Sequence, residues 1–357
     1  MPLITLRQLL DHAAEYGYGV PAFNISNMEQ GLAIMNAAHS CDAPVILQAS
    51  LNVRNVYAGD RMIVAIVEAL AAMYPNNPIC LHQDHGHNEQ ACVSAIGAGF
   101  TSAMMDGSLK EDGKTPSDYA YNADITGRVA QIAHWIGASI EGEIGILGSL
   151  ETGLAGQEDG SGAVGAMKRH QLLTDPDEAA GFVSATKVDA LAIACGTSHG
   201  AYKFTRAPDG EILSMEQIEA IHKRLPETHL VMHGSSSVPQ HLQDLINANG
   251  GEMAQTWGVP VDEIERGIRH GVRKVNIDTD CRMAMSGAMR KFANDNPQVF
   301  DPRAFILAAM SELETLVRDR FERFGTAGQA HKIKPISLAD MAKRYAGGGL
   351  DPRVVAA

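Results

Sequence analysis

The sequence predicts an α/β protein, a TIM-type (β/α)8 barrel of eight parallel strands with extra helices at its C-terminal end. Short β-branched apolar runs alternate with stretches of 3.6-residue periodicity over most of the 357 residues. An open doubly wound sheet is the alternative, but no Gly-x-Gly-x-x-Gly follows the first run, which weakens it. The predicted strands cover residues 20–25, 44–50, 78–85, 100–107, 138–145, 188–197, 229–234 and 272–278.

The length allows two domains or one large barrel, because barrels of this kind run past ~250 residues as one domain. We expect a single barrel domain over residues 1–357. The barrel would take up about residues 1–300, and a helical extension would begin at about Asp301.

The segments between the strands carry helix-start signals. Ser26 with Glu29 and Ser214 with Gln217 fit a capping box, and Pro239 suits a first helical position. The exception is the stretch of residues 145–174, which is rich in glycine and shows no sustained periodicity. Long loops of this type are often lids, so we call residues 145–174 the lid segment.

Composition and charge exclude several classes of protein. A composition of 45% apolar and 20% charged residues indicates a folded, globular protein. The net charge of −13 argues against a general nucleic-acid or anionic-membrane binder, so an anionic substrate needs a local positive site. We expect reduced cysteines, no signal peptide or membrane span, and a cytoplasmic protein.

Polar residues end every predicted strand. Barrel enzymes hold their chemistry at the carboxyl ends of the strands, so this pattern predicts an active site there. The residues at these ends are Asn24, Ser50, Asp84, His85, Asp106, Glu143, His199, His233, Asn276 and Asp278.

Three of these strand-end residues are histidines: His85, His199 and His233. Three imidazoles with an open coordination position form a catalytic zinc-type site. His82 and His87 lie close by in the sequence, and we expect them to be structural or to support the ligands.

Adjacent residues of a strand point to opposite faces. Asp84 and His85 can therefore both enter the site only if the strand twists or bulges there.

Gly-Ser-Ser-Ser at residues 234–237 follows the seventh strand and leads into a helix. Backbone N–H groups and hydroxyls at such a position form a phosphate cup. Residues 276–279 provide a second set of such groups after the eighth strand.

Acidic residues cluster at the fifth strand and in the lid segment. Glu141 and Glu143 share one face of the strand, where they would repel each other unless a cation or a proton separates them, and we expect a metal ion to do so. Glu151 lies in the lid segment, from which a carboxylate could reach a substrate after closure.

These motifs together resemble the class II, metal-dependent fructose-bisphosphate aldolases. Leu-His-Gln-Asp-His-Gly at residues 81–86 and the stretch of residues 140–151 match the family's two signatures. Residues 196–203 and 233–236 look like its remaining metal and phosphate segments. The resemblance extends from Pro21 to beyond Asp280, which is most of the chain.

The resemblance implies a role for each matching residue. The three histidines would hold Zn²⁺, Asp106 and Glu143 would serve a second divalent site, and a monovalent cation could also bind. Asp84 would protonate the C4 oxygen, Glu151 would handle the carbon proton of dihydroxyacetone phosphate, and Asn276 would stabilise the developing charge. Glu158 is a rival for the role of Glu151. Substrate and phosphate contacts would come from Asn24, Ser50, Gly200, Lys203, Gly234, Ser235, Ser236, Asp278, Thr279 and Arg282.

The implied substrate is a phosphorylated sugar, fructose 1,6-bisphosphate, with the tagatose or sedoheptulose bisphosphate as alternatives. The implied context is glycolysis, gluconeogenesis or the Calvin cycle, and the implied assembly is a homodimer or homotetramer. Three rival readings remain open at this point: an imine-forming aldolase using Lys274, a zinc hydrolase suggested by His85-Gly86-His87, and a phosphosugar-binding protein without catalysis.

Overall fold

A computed structural model describes residues 3–157, 159–163 and 165–356. Eight parallel strands close into a barrel in the order β1, β10, β9, β8, β5, β4, β3, β2, and a separate antiparallel pair, β6 and β7, lies in the lid segment. The strands are β1 (Val20–Asn24), β2 (Val45–Ser50), β3 (Ile79–Gly86), β4 (Ser102–Met105), β5 (Ser139–Ile144), β6 (Leu154–Ala155), β7 (Gly165–Ala166), β8 (Ala190–Ile193), β9 (His229–Met232) and β10 (Val272–Ile277).

Helices surround the barrel, and the predicted C-terminal helices are present. Asp301 caps the first of these, its side chain accepting a hydrogen bond from Arg303 N. The α-helices are α1 (Leu6–Tyr16), α2 (Met28–Ser40), α3 (Asp60–Met73), α4 (Glu89–Ala98), α5 (Tyr119–Trp135), α6 (Pro176–Thr186), α7 (Met215–Arg224), α8 (Gln240–Ala248), α9 (Val261–Arg269), α10 (Thr279–Asp295), α11 (Pro302–Arg323) and α12 (Leu338–Ala346).

Apolar side chains fill the barrel interior near the N-terminal ends of the strands. Ala22, Ile46 and Val231 belong to one buried cluster with Leu6 and Leu10 of α1. Helix α1 therefore closes this end of the barrel, and the predicted site residues lie at the opposite, carboxyl end.

Several local expectations were wrong in detail. Asn27, not Ser26, caps α2, because the Asn27 side chain accepts from Gln30 N. Ser214 precedes α7 without a capping hydrogen bond from its side chain, and α8 begins one residue after Pro239. The predicted strand at 188–197 shortens to β8, and its last residues form a loop.

A buried carboxylate attaches the C-terminal helix α12 to the barrel. Asp189 accepts hydrogen bonds from Ile140 N at 2.8 Å, His134 Nε2 at 2.9 Å and Tyr345 Oη at 2.7 Å. The Tyr345 ring also stacks on His134, with ring centroids 3.9 Å apart. In the described part of the chain, no helix is both long and apolar enough to cross a membrane.

We predict that Tyr345→Phe lowers the free energy of unfolding by about 1.5–3 kcal/mol, because a buried carboxylate loses a hydrogen-bond donor. Denaturant unfolding measures the loss. Tyr16→Phe is the matched control, because Tyr16 is half exposed. Equal losses for the two variants would contradict a structural role for the Asp189 contact.

Candidate active site

A cavity of about 270 Å³ opens at the carboxyl ends of the barrel strands. The closed parallel barrel brings these ends together, although the residues are far apart in the sequence. The predicted site residues that line it are Asn24, Ser50, Asp84, His85, His199, Gly234, Ser235, Ser236, Asn276 and Asp278.

The end of β3 is irregular. The pairing of β3 with β4 shifts register between Gln83 and Gly86, and His85 has a φ of 46°, in the left-handed region. A Cβ at Gly86 would lie 2.6 Å from Cys92 Sγ and 2.8 Å from Met104 O, so only glycine fits. The expected irregularity is therefore present, and both Asp84 and His85 line the cavity.

The three predicted histidine ligands converge. Ligand atoms of His85, His199 and His233 all lie within 4.8 Å of one another, and all three residues are buried. His85 Nδ1 lies 2.9 Å from Asp106 Oδ2, and His233 Nε2 lies 2.7 Å from Glu141 Oε1. Because ionised carboxylates only accept, these partners place protons on those nitrogens and leave His85 Nε2 and His233 Nδ1 facing each other at 3.1 Å.

The surroundings of the histidines favour a cation. Burial lowers the pKa of His85, but the charge of Asp84 and the hydrogen bond to Asp106 outweigh burial and raise the pKa to about 10. Burial, with the nearby charge of His85, lowers the pKa of His233 well below its usual value. The facing nitrogens of His85 and His233, with His199 beside them, are a donor set that suits a divalent ion bound by three imidazoles.

A second buried group joins His85, Asp106 and Glu143. Ser108 Oγ lies 2.7 Å from Asp106 Oδ1 and 3.0 Å from Glu143 Oε1. Burial and the charge of Asp106 raise the pKa of Glu143 well above its usual value, whereas the hydrogen bond from His85 outweighs burial at Asp106 and lowers that pKa to about 2. Glu143 Oε2 is buried, and no described residue hydrogen-bonds to it, so this donor set fits a second cation.

Glu141 has a charged side chain as a partner within the barrel. Lys274 Nζ lies 2.8 Å from Glu141 Oε2, and both side chains are fully buried. Lys274 therefore supplies a positive charge beside Glu141, a partner that the sequence analysis did not predict. The strand faces alone gave no sign of a partner on β10.

Asparagine side chains hold Asp84. Asn24 Nδ2 donates to Asp84 Oδ2 at 2.9 Å, and Asn276 Nδ2 donates to Asp84 Oδ1 at 3.2 Å. Gln48 Nε2 in turn donates to Asn24 Oδ1 at 2.6 Å. Sequence reasoning missed Gln48, although it shares a strand face with Ser50.

The predicted phosphate cup after β9 is held from outside by an acidic side chain. Asp280 accepts from Ser237 N at 3.0 Å and from Val238 N at 2.8 Å. Arg320 of α11 donates to Ser237 Oγ at 2.6 Å. Val238 has a φ of 46°, which is unfavourable for a β-branched residue, so these contacts keep the loop in a strained shape. The sequence analysis missed both supports.

The other predicted substrate residues, Gly200, Lys203, Thr279 and Arg282, are not among the residues that line the cavity. Buried Lys203 donates from Nζ to Ser198 O, which directs it toward the loop after β8. Arg282 is held by Asp278 through contacts of 2.7 and 2.6 Å. Gly200 has a φ of 79°, and Thr279 begins α10.

The lid segment contains the β6–β7 hairpin and does not bring Glu151 to the cavity. Glu151 is not among the residues that line the cavity; Thr205 Oγ1, in the loop after β8, donates to Glu151 Oε1 at 2.8 Å. Glu158, the rival residue, lies outside the described residues. Asp159 and Ser161 of the same segment do line the cavity. The sequence around them is rich in glycine and has no periodicity, so it gave little indication of this position.

Comparison with known proteins relates the whole chain to one family. A family model described as fructose-bisphosphate aldolase class-II matches residues 4–329. The chain is 69% identical over 359 residues to fructose-bisphosphate aldolase 1 of Cereibacter sphaeroides, covering 100% of this chain and 99% of that protein. It is 57% identical over 354 residues to fructose-bisphosphate aldolase of Stutzerimonas stutzeri, covering 99% and 100% of the two chains.

Solved structures support the fold. The YdjI aldolase from Escherichia coli K12 matches with a TM-score of 0.69 at 22% identity, over 92% of this chain and 99% of that one. Fructose-bisphosphate aldolase from Campylobacter jejuni matches with a TM-score of 0.64 at 20% identity, over 91% and 96% of the two chains.

We predict that His199→Ala lowers the bound zinc by about one ion per chain, because one of three protein ligands is lost. Elemental mass spectrometry after dialysis measures the metal content. His87→Ala is the control, since His87 lines the same cavity but bonds to Ser161 Oγ at 2.9 Å. Equal loss from both variants would show that the ligand set is wrongly assigned.

Proposed function

This chain belongs to the class II fructose-bisphosphate aldolase family, and from that premise we propose that it cleaves fructose 1,6-bisphosphate reversibly with the help of Zn²⁺. The products are dihydroxyacetone phosphate and glyceraldehyde 3-phosphate. The observation that carries the proposal is the convergence of three buried histidines beside Asp84 at the mouth of the barrel.

His85, His199 and His233 would hold the zinc ion, and Asp106 with Glu143 would serve a second divalent or a monovalent cation. Bound zinc supplies a Lewis acid that polarises the C2 carbonyl of the ketose and stabilises the charge left on that half after cleavage. Asn276, which contacts both Asp84 and His233, is well placed to donate a hydrogen bond to the same oxygen as its charge develops.

Asp84 would exchange the proton of the C4 hydroxyl. Two amides fix its carboxylate inside the cavity, so a substrate oxygen would meet it in one orientation. In the cleavage direction the carboxylate removes the C4 hydroxyl proton as the C3–C4 bond breaks, and in condensation it returns that proton.

Two groups of anion-binding residues suit a bisphosphate. One group consists of the backbone and hydroxyls of Gly234, Ser235 and Ser236. The family resemblance adds Gly200, Lys203, Asp278 and Thr279 to this group. The other consists of Ser50 and Asn24, which line the cavity, and Arg282 of α10, which contacts the cavity-lining residues Asp159 and Asp278. Ser50 ends β2 and Gly234 follows β9, and these strands are not neighbours in the barrel, so each group can hold one phosphate of the same substrate.

The rival functions are less well supported. Lys274 is fully buried and paired with Glu141, so it is poorly placed to form an imine with a substrate. The hydrolase suggested by His85-Gly86-His87 is weakened because His87 contacts Ser161 and is not part of the three-histidine group. A sugar-binding protein without catalysis has no need for a carboxylate such as Asp84 held beside three converging histidines. We also propose, from the family resemblance, a cytoplasmic homodimer or homotetramer that acts in glycolysis, gluconeogenesis or the Calvin cycle.

A direct assay tests the proposed function. We expect the protein to cleave fructose 1,6-bisphosphate faster than tagatose 1,6-bisphosphate or sedoheptulose 1,7-bisphosphate. Chelation should abolish cleavage, and zinc, cobalt or manganese should restore it, because a three-histidine site accepts several divalent ions. Full cleavage after complete chelation would rule out the metal mechanism.

The acid that handles the carbon proton of dihydroxyacetone phosphate is proposed to lie in the lid segment, as Glu151 or its rival Glu158. Exchange of that proton with solvent needs this acid but not Asp84. We predict that replacing the correct glutamate by glutamine slows exchange by about 10²–10⁴ while changing substrate affinity much less.

Exchange measured by NMR on Glu151→Gln, Glu158→Gln and Asp84→Asn identifies the residue. Asp84→Asn should lose about 10²–10⁴ of the cleavage rate but keep more of the exchange. Normal exchange in Glu151→Gln together with slow exchange in Glu158→Gln would assign the role to Glu158. Normal exchange in both variants would exclude a glutamate of the lid segment.

A further inference from the structure

The lid segment places a carboxylate on an anion-binding group. Ser50 Oγ donates to Asp159 Oδ2 at 2.6 Å, and Arg282 Nη2 donates to Asp159 Oδ1 at 2.7 Å. The Asp159 side chain is only 14% exposed. Ser50 and Asp159 line the cavity, and Arg282 reaches Asp159 from α10. Proteins bind phosphate with hydroxyl and guanidinium groups, so Asp159 occupies a position suited to a phosphate.

The negative charges at this position disfavour the binding of a further anion. Arg282 carries one positive charge and already contacts two carboxylates, those of Asp159 and Asp278. A phosphate dianion added beside both would be repelled by them in a partly buried setting. Binding of a phosphate to Ser50 and Arg282 therefore requires that Asp159 leave.

We propose that Asp159 is a built-in competitor for one substrate phosphate. Its carboxylate occupies the anion site of Ser50 and Arg282 until that phosphate displaces it. The inference rests on the proposed cleavage of a bisphosphate, and it makes Asp159 a determinant of how tightly one end of the substrate binds.

The position of Ser50 indicates which phosphate competes. Ser50 on β2 pairs in register with Asp84 on β3, the residue proposed to act on the C4 oxygen. The other anion-binding group begins at Gly234, directly after the metal-ligand candidate His233. Asp159 thus competes with the phosphate of the aldehyde half, which in the condensation direction belongs to glyceraldehyde 3-phosphate.

Other contacts hold the neighbouring part of the lid segment independently of this site. His87 Nε2 lies 2.9 Å from Ser161 Oγ, and Gly162 N donates to Gly113 O at 3.0 Å. Displacement of Asp159 would release one attachment of the lid segment and leave these two in place. Phosphate binding would therefore displace the Asp159 side chain while Ser161 and Gly162 remain attached.

Asp159→Asn tests the proposal, because asparagine has the same size but no charge. Calorimetry on the metal-loaded enzyme gives the Kd of inorganic phosphate, and steady-state condensation gives the KM of each triose phosphate. We expect the phosphate Kd and the KM of glyceraldehyde 3-phosphate to fall about five- to tenfold. The KM of dihydroxyacetone phosphate should stay within about twofold.

Two variants serve as controls. Asp124→Asn removes one charge at an exposed position of α5, and Ser161→Ala removes another attachment of the lid segment without changing charge. Neither should tighten phosphate binding. An unchanged or raised phosphate Kd in Asp159→Asn, or an equal fall in either control, would overturn the proposal. A wild-type enzyme that cleaves no bisphosphate would refute the proposed function instead, and the calorimetry would still decide the competition.

Discussion

The left-handed backbone at His85 is the constraint on which the site depends. It turns two consecutive residues of β3 into the same cavity, so that a proposed proton carrier lies directly beside a proposed metal ligand. Such a conformation costs about 1–3 kcal/mol and persists only where the surroundings determine it. Here the surroundings are the close packing at Gly86 and the hydrogen bond from His85 to Asp106. A regular strand end would direct one of the two side chains out of the site.

Buried acids on neighbouring strands orient the histidines. Asp106, after β4, fixes His85, and Glu141 on β5 fixes His233, while Lys274 on β10 balances the charge of Glu141. The closed barrel is what allows this arrangement, because β5 and β10 are not neighbours and meet only across the barrel interior. The same acids that orient the rings make the centre of the site attractive to a cation. Orientation and affinity for a metal thus share one physical origin.

The sequence predicted the features that are encoded locally. Most barrel strands contain a short apolar run, and His85 and His233 end or directly follow such runs, so these strands and residues could be found without the structure. His199 lies farther out, in the loop after the shortened β8. Contacts across the barrel could not be predicted, because Glu141 and Lys274 are far apart in sequence and their pairing depends on which faces turn inward. The contact of Arg320 on α11 with Ser237 of the phosphate cup could not be predicted for the same reason. In the lid segment, the absence of periodicity gave no basis for predicting that Asp159 lines the cavity and that Glu151 does not.

The central claim is that one divalent ion binds between the three histidines. Anomalous diffraction from a crystal of the zinc-loaded enzyme, collected on both sides of the zinc absorption edge, measures this directly. The account predicts a strong anomalous peak within coordination distance of His85, His199 and His233, with Asp84 beside it and not among the ligands. A fully loaded, active crystal with no peak between these residues, or with its zinc bound elsewhere, would contradict it.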